Sequence, residues 1–143
     1  MKKRIGLVLL AAAVAGTAYV YARDLPETSA HGDERVYELR TYTTHEGKLD
    51  ELHMRFRNHT STLFVKHGMT LIGYWTPTDG DEANNTLVYL LAHPSRDAAK
   101  AAWSDFSKDP EWQKVYAESR EDGPLVAKVE SVFLQPTDYS PLQ

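Results

Sequence analysis

The chain predicts an α+β fold on the split β-α-β plan, with one antiparallel four-stranded sheet and its helices on one face. Two observations carry this. Residues Val36 to Trp75 read as strand, long helix, strand, and residues Thr86 to Gln135 read as strand, two helices, strand. The resulting order, β-α-β-β-α-α-β, is that of a split β-α-β unit.

Strand one, Arg35 to Thr43, alternates its side chains between two faces. Tyr37, Leu39 and Thr41 share one face, and Val36, Glu38, Arg40 and Tyr42 share the other. A Glu, an Arg and a Tyr in a row either face water or line a polar cavity. The helix that follows begins between Thr44 and Gly47 and stops at Gly68. Glycine there tolerates the left-handed conformation, and Lys66 and His67 suit the negative helix end. At about 100° per residue, Leu49, Leu52, Phe56 and Leu63 form one stripe, with His53, Thr60 and His67 beside it. Glu51 and Arg55, four apart, are expected on the outside in the favourable order. A histidine beside an apolar stripe is more often hydrogen-bonded in the core than reactive, though three polar groups at seven-residue spacing also suit a pocket wall.

Strand two, Thr70 to Thr76, and strand three, Thr86 to Ala92, form a hairpin whose long acidic tip runs from Pro77 to Asn85. Strand three is apolar enough to be buried on both faces. Pro94 and Ser95 stop it and cap a second helix whose apolar face is Ala98, Ala99, Ala102, Trp103 and Phe106. Asp109-Pro110-Glu111 opens a third helix with an N-cap acid, a proline at N1 and an acid in the first turn. Trp112, Val115, Tyr116 and Ser119 give that helix its inner side, and Gly123-Pro124 end it. Strand four, Val126 to Gln135, alternates Val129, Ser131 and Phe133 against Glu130, Val132 and Leu134, and Pro136 to Gln143 form an extended arm.

The beginning of the chain is unlike the rest. Lys2, Lys3 and Arg4 precede an apolar run from Ile5 to Val20, then Ala22. Residues 1–22 are expected to be a secretory signal, cut after Ala22 or at Gly16-Thr17-Ala18. The alternative is a retained membrane anchor, since the run approaches the roughly 20 residues that a bilayer requires. The protein is therefore expected in the periplasm or secreted, or else anchored by this segment. Residues 23–34 read as a linker, leaving 35–143 as one domain. The absence of cysteine excludes lipid attachment through a leader cysteine and leaves the fold without disulfides. Residues 1–22 carry three of the 16 basic residues and none of the 20 acidic ones, so the remainder has a net charge of −7. That balance argues against nucleic acid as a partner, because phosphate neutralisation requires a basic face.

The helices cover one face of the sheet, and the other would present aromatic and apolar side chains, too large a patch to leave in water. A second copy of the chain is expected to cover it. Glu38-Leu39-Arg40-Thr41-Tyr42, Gly47-Lys48-Leu49, His67-Gly68-Met69, Gly73-Tyr74-Trp75, Asp109-Pro110-Glu111-Trp112 and Tyr139-Ser140-Pro141-Leu142-Gln143, in that order, resemble a NIPSNAP domain over nearly all of Val36 to Gln143. The resemblance implies a ferredoxin-like domain of the dimeric α+β barrel superfamily, in which two sheets pack face to face around a central cavity. It implies no assigned reaction. Animal members are associated with mitochondria and protein partners, but the secretory-type leader and single domain set this chain apart from them.

Catalytic signatures are few. There is no cysteine nucleophile, Gly-x-Ser-x-Gly elbow, phosphate-cradling loop or Rossmann fingerprint. The six histidines lack the i, i+4 pair of a helical zinc site, so neither a metal nor a cofactor is expected. The candidate ligand-binding residues are Arg40, Tyr42, His53, His67, Tyr74 and Trp75. Arg40 offers bidentate pairing to a carboxylate or enolate, Tyr42, Tyr74 and Trp75 offer flat walls with polar tips, and His53 or His67 offers a general base. The plainer reading pairs Glu38 with Arg40 and puts the aromatics in the core or a dimer interface. Two classes stay open. One is a homodimeric module that holds a small apolar or aromatic ligand, or a protein partner. The other is a cofactor-independent oxygenase or isomerase with a His base and an Arg anion stabiliser in the barrel cavity.

Overall fold

The computed structural model describes residues 35–142. The leader and linker expected over residues 1–34 lie outside that range.

Strands β1 (Val36–Thr44), β2 (Thr70–Trp75), β3 (Thr86–His93) and β4 (Val126–Leu134) form one sheet in the order β2-β3-β1-β4. Every neighbouring pair is antiparallel. Consecutive β1 and β2 are thus separated by β3, the signature of the split plan the sequence predicts. The register sets Glu38 opposite Leu91 and Phe133, and Arg40 opposite Tyr89 and Ser131. By alternation, Leu39, Leu90 and Val132 form a row on the opposite face. The β2–β3 hairpin carries a 3₁₀ turn, Asp81–Asn84, within its acidic tip.

The first helix departs from the sequence prediction. It runs as α1 (Leu49–Arg55), a π-helical turn (Phe56–Thr60) and α2 (Ser61–Lys66). The Thr60 hydroxyl donates back to the Arg55 carbonyl at 3.3 Å, across the widened turn. A π turn rotates each residue less than an α turn does, so Thr60 swings from the margin of the stripe into the core beside Phe64, and both are buried. Arg55 is also buried, at 6% exposure, rather than on the outer surface where its spacing from Glu51 put it. Glu51 instead accepts from Lys48 at 2.7 Å. The helix closes at Gly68, whose φ of 78° is a conformation that favours glycine.

Helices α3 (Arg96–Lys108) and α4 (Pro110–Glu118) begin at the caps read from the sequence. Ser95 Oγ accepts from the Ala98 amide at 3.1 Å, and Asp109 Oδ1 from the Glu111 amide at 2.8 Å. Helix α4 ends at Glu118, short of Gly123. Two turns then lead into β4.

The core lies between the sheet and these helices. Leu52, Phe56, Leu63, Phe64, Leu87, Tyr89, Leu91 and Phe106 are its buried centre. Phe64 meets Trp103 and Phe106 edge-on at 5.2 and 4.9 Å between centroids, a favourable arrangement of ring quadrupoles. On β2, the Trp75 indole lies over Gly73, where a β-carbon would come within 2.6 Å of its ring. Among the described residues no helix is long and apolar enough to cross a membrane.

Candidate functional site

The polar face of β1 becomes a closed node. Glu38 is buried at 1% exposure, and both of its carboxylate oxygens are fully engaged. Oε1 accepts from Arg40 Nη1 and Ser131 Oγ, each at 2.7 Å, and Oε2 accepts from the Trp103 indole at 2.6 Å. His93 Nε2 stands 3.1 Å from Oε2, so the tautomer with a hydrogen on Nε2 completes the set. Burial alone would raise the Glu38 pKa, but donation from His93, Trp103, Ser131 and Arg40 prevails and lowers it from 4.5 to about 2. The Arg40 guanidinium lies 4.2 Å from the centre of the Trp103 ring. Burial disfavours its charge, yet Tyr89, Tyr42 and Glu38 outweigh that and raise its pKa. The node joins β1, β3, α3 and β4 and satisfies the Glu38 carboxylate from its own members, while Arg40 Nε and His93 Nδ1 stay buried without a partner.

A second locus lies at the π turn. Arg55 reaches between α1 and α4, donating from Nη1 to Ser119 Oγ at 3.2 Å. Its guanidinium stands 5.3 Å from the Trp112 ring centre and 5.7 Å from that of Tyr116. Among the described residues it has no carboxylate at ion-pair distance, and its buried Nε has no hydrogen-bond partner. Burial lowers its pKa, with Arg120 adding to that effect. Arginine titrates so far above neutrality that the cation persists. Ring faces and the negative end of α4, next to Ser119, are what offset the charge.

Arg55 divides two spaces. On its inner side, a cavity of about 270 Å³ is lined by Tyr42, Phe56, Thr60, Trp112, Tyr116 and the β4 segment 126–129. On its outer side, a cleft of about 350 Å³ is lined by Glu51, His59, Glu118 and Asp122 among others. The inner cavity is walled by rings, with Arg55 at its edge and no carboxylate in its lining. The outer cleft is larger but acidic.

The six residues singled out from the sequence fall in different places. Tyr42 lines the inner cavity, and its hydroxyl is 3.4 Å from Arg40 Nη2. Arg40 itself belongs to the Glu38 node. His53, Tyr74 and Trp75 line a separate cleft of about 300 Å³, where the Tyr74 hydroxyl accepts from Ser61 at 3.0 Å. His67 Nε2 lies 2.7 Å from Asp109 Oδ2, which also pairs with Lys66, so it ties the end of α2 to the start of α4. Arg55 is the residue that sequence reasoning missed. A signal was available in Trp112 and Tyr116, two rings one turn apart on the inner side of α4, spaced to hold a cation.

The sheet order and the helices on one face define a ferredoxin-like α+β domain. The chain belongs to the NIPSNAP family, whose model matches residues 37–141. Among curated proteins none matches the chain. Its fold is similar to that of a NIPSNAP-like domain protein from Burkholderia xenovorans (TM-score 0.66, 21% identity, covering 76% of this chain and 90% of that one). It is also similar to a NIPSNAP family protein of unknown function from Agrobacterium tumefaciens (TM-score 0.68, 24% identity, 79% and 97% covered). The likeness extends to SnoaB, a cofactor-independent oxygenase from Streptomyces nogalater (TM-score 0.52, 17% identity, 76% and 98% covered). At that identity the likeness is one of fold.

Proposed function

We propose that this NIPSNAP-family protein is an exported homodimer that binds a small molecule with an apolar or aromatic body in the cavity between its sheet and helices. The observation that carries this reading is Arg55, a buried cation with no carboxylate at ion-pair distance among the described residues, beside a cavity of about 270 Å³. A buried charge is normally paired, and one left open to a cavity suits a ligand that completes it. Dimerisation takes its support from the other face of the sheet. There Trp75, Val132 and Leu134 are 52%, 54% and 41% exposed. Export rests on the composition of residues 1–22.

A cofactor-independent oxygenase or isomerase is the second reading, and the fold likeness to SnoaB is its support. Arg40 and His53 share none of the three spaces, while His59 and Arg55 share the outer cleft. Binding is the better reading because no histidine lines the inner cavity. Native mass spectrometry of the protein purified from its own host tests the proposal. The expected species is a two-chain mass that sheds a small molecule on activation. A bare single chain would contradict it.

A further inference from the structure

We infer that the cavity beside Arg55 takes a planar aromatic monoanion, its charged group on the guanidinium and its ring between the aromatic walls. This rests on the small-molecule reading above and assigns that reading a ligand class. Three independent features converge on it. Arg55 is walled in, spends one N–H on a neutral serine hydroxyl, and keeps a buried Nε–H unpartnered. A guanidinium presents its donors in a plane that matches the two oxygens of a carboxylate, so an anion supplies what Ser119 does not.

The walls then select the body of the ligand. Tyr42, Phe56, Trp112 and Tyr116 present ring surface to the cavity. Rings prefer offset or edge-on partners, and a flat aromatic ligand satisfies these while a flexible chain does not. The volume lies just below the roughly 300 Å³ at which drug-sized sites begin, which suits one or two fused rings. Charge selects against the alternatives. The inner lining has no acid to hold a cationic ligand.

The third feature is the backbone. The π turn begins immediately after Arg55, and Thr60 Oγ1 bonds back to the Arg55 carbonyl. An inserted π turn is less stable than regular helix and is found most often where a side chain must be re-aimed for function. Here it sets the residues that follow Arg55 into the cavity wall.

The test uses the full chain with 2-naphthoate and its neutral counterpart 2-naphthamide, titrated by calorimetry. Naphthoate is expected to bind at least about tenfold more tightly than the amide, the margin of a charge-assisted hydrogen-bond pair. Arg55→Gln brings the two probes to near parity, while the exposed Arg57→Gln leaves the preference intact. Equal binding of both probes by the native protein overturns the ligand class and leaves the cavity reading standing. A preference that survives in folded Arg55→Gln also overturns it. Binding of neither probe overturns both. If Arg55→Gln does not fold, Val129→Trp fills the cavity from its rim without altering its charge. Naphthoate binding must then be lost, and its persistence places the ligand elsewhere and overturns the inference.

Discussion

The Trp103 indole N–H on α3 donates to Glu38 Oε2 on β1 across 2.6 Å, fixing helix and sheet by a charge-assisted bond in a buried setting. Arg40, held by the same carboxylate, lies against the face of the same indole. Three side chains thus contact one another, and the helix cannot slide along the sheet without breaking both contacts that Trp103 makes. Glu38→Gln leaves the Arg40 cation without its counter-charge in a mostly buried site. It is expected to cost about 3 kcal/mol, the lower end for breaking a buried pair. Urea denaturation measures this, and a loss below 1 kcal/mol would show that the node is dispensable, as breaking a mere surface pair would be.

The same carboxyl sets a pH dependence. Its pKa falls from 4.5 to about 2 on folding, so the unfolded chain takes up the proton first as pH drops. The stability it contributes is fully present above pH 4.5 and is lost as pH falls through 2. It amounts to about 3 kcal/mol at most. Asp109 acts in the same direction, because hydrogen bonds from Lys66 and His67 hold its pKa well below the usual carboxylate range. The melting temperature is therefore expected to fall between pH 4.5 and 2, and to fall less steeply in Glu38→Gln. Parallel curves for the two proteins would contradict this.

The strand alternation, the Ser95 and Asp109 caps and the Gly68 stop were all legible in the sequence because each is decided within a few residues. The Glu38 node was only half legible. A Glu, an Arg and a Tyr on one strand face signalled a polar interior or water, but Ser131 and His93 reach Glu38 across 93 and 55 residues of chain, through a register that no local pattern fixes. Arg55 was misplaced for a different reason. Its spacing from Glu51 matches an exposed ion pair, and only the packing of α4 across that flank, together with the π turn, buries it. The same turn separates the three polar groups read at seven-residue spacing. Thr60 enters the core, His53 lines an open cleft and His67 joins Asp109.

Gly73 is required by its neighbour two residues on. A β-carbon there would lie 2.6 Å from Trp75 Cη2 and 2.8 Å from Cζ2, so the indole must leave the sheet. Gly73→Val is expected to cost about 1–2 kcal/mol by overpacking, despite the better strand propensity of valine. Combining it with Trp75→Ala should recover most of the loss in chemical denaturation. No recovery would mean that the backbone at Gly73, and not the ring, sets the requirement.

The open sheet face gives a prediction about assembly. Val132 lies in a row with Leu39 and Leu90 and is 54% exposed. Val132→Glu places a charge in the proposed interface and should convert a two-chain species to single chains in light scattering, with the circular dichroism of the subunit unchanged. An unaltered mass would put the interface elsewhere.

The central claim is that Arg55 waits, charged and unpaired, for an anion. Its Nε–H is buried without a partner, and this proton can be followed directly by nitrogen-15 NMR. Adding 2-naphthoate should move the Arg55 Nε–H resonance downfield in proportion to occupancy, as a new charge-assisted hydrogen bond forms. A resonance that stays in place while naphthoate saturates the protein would contradict the account.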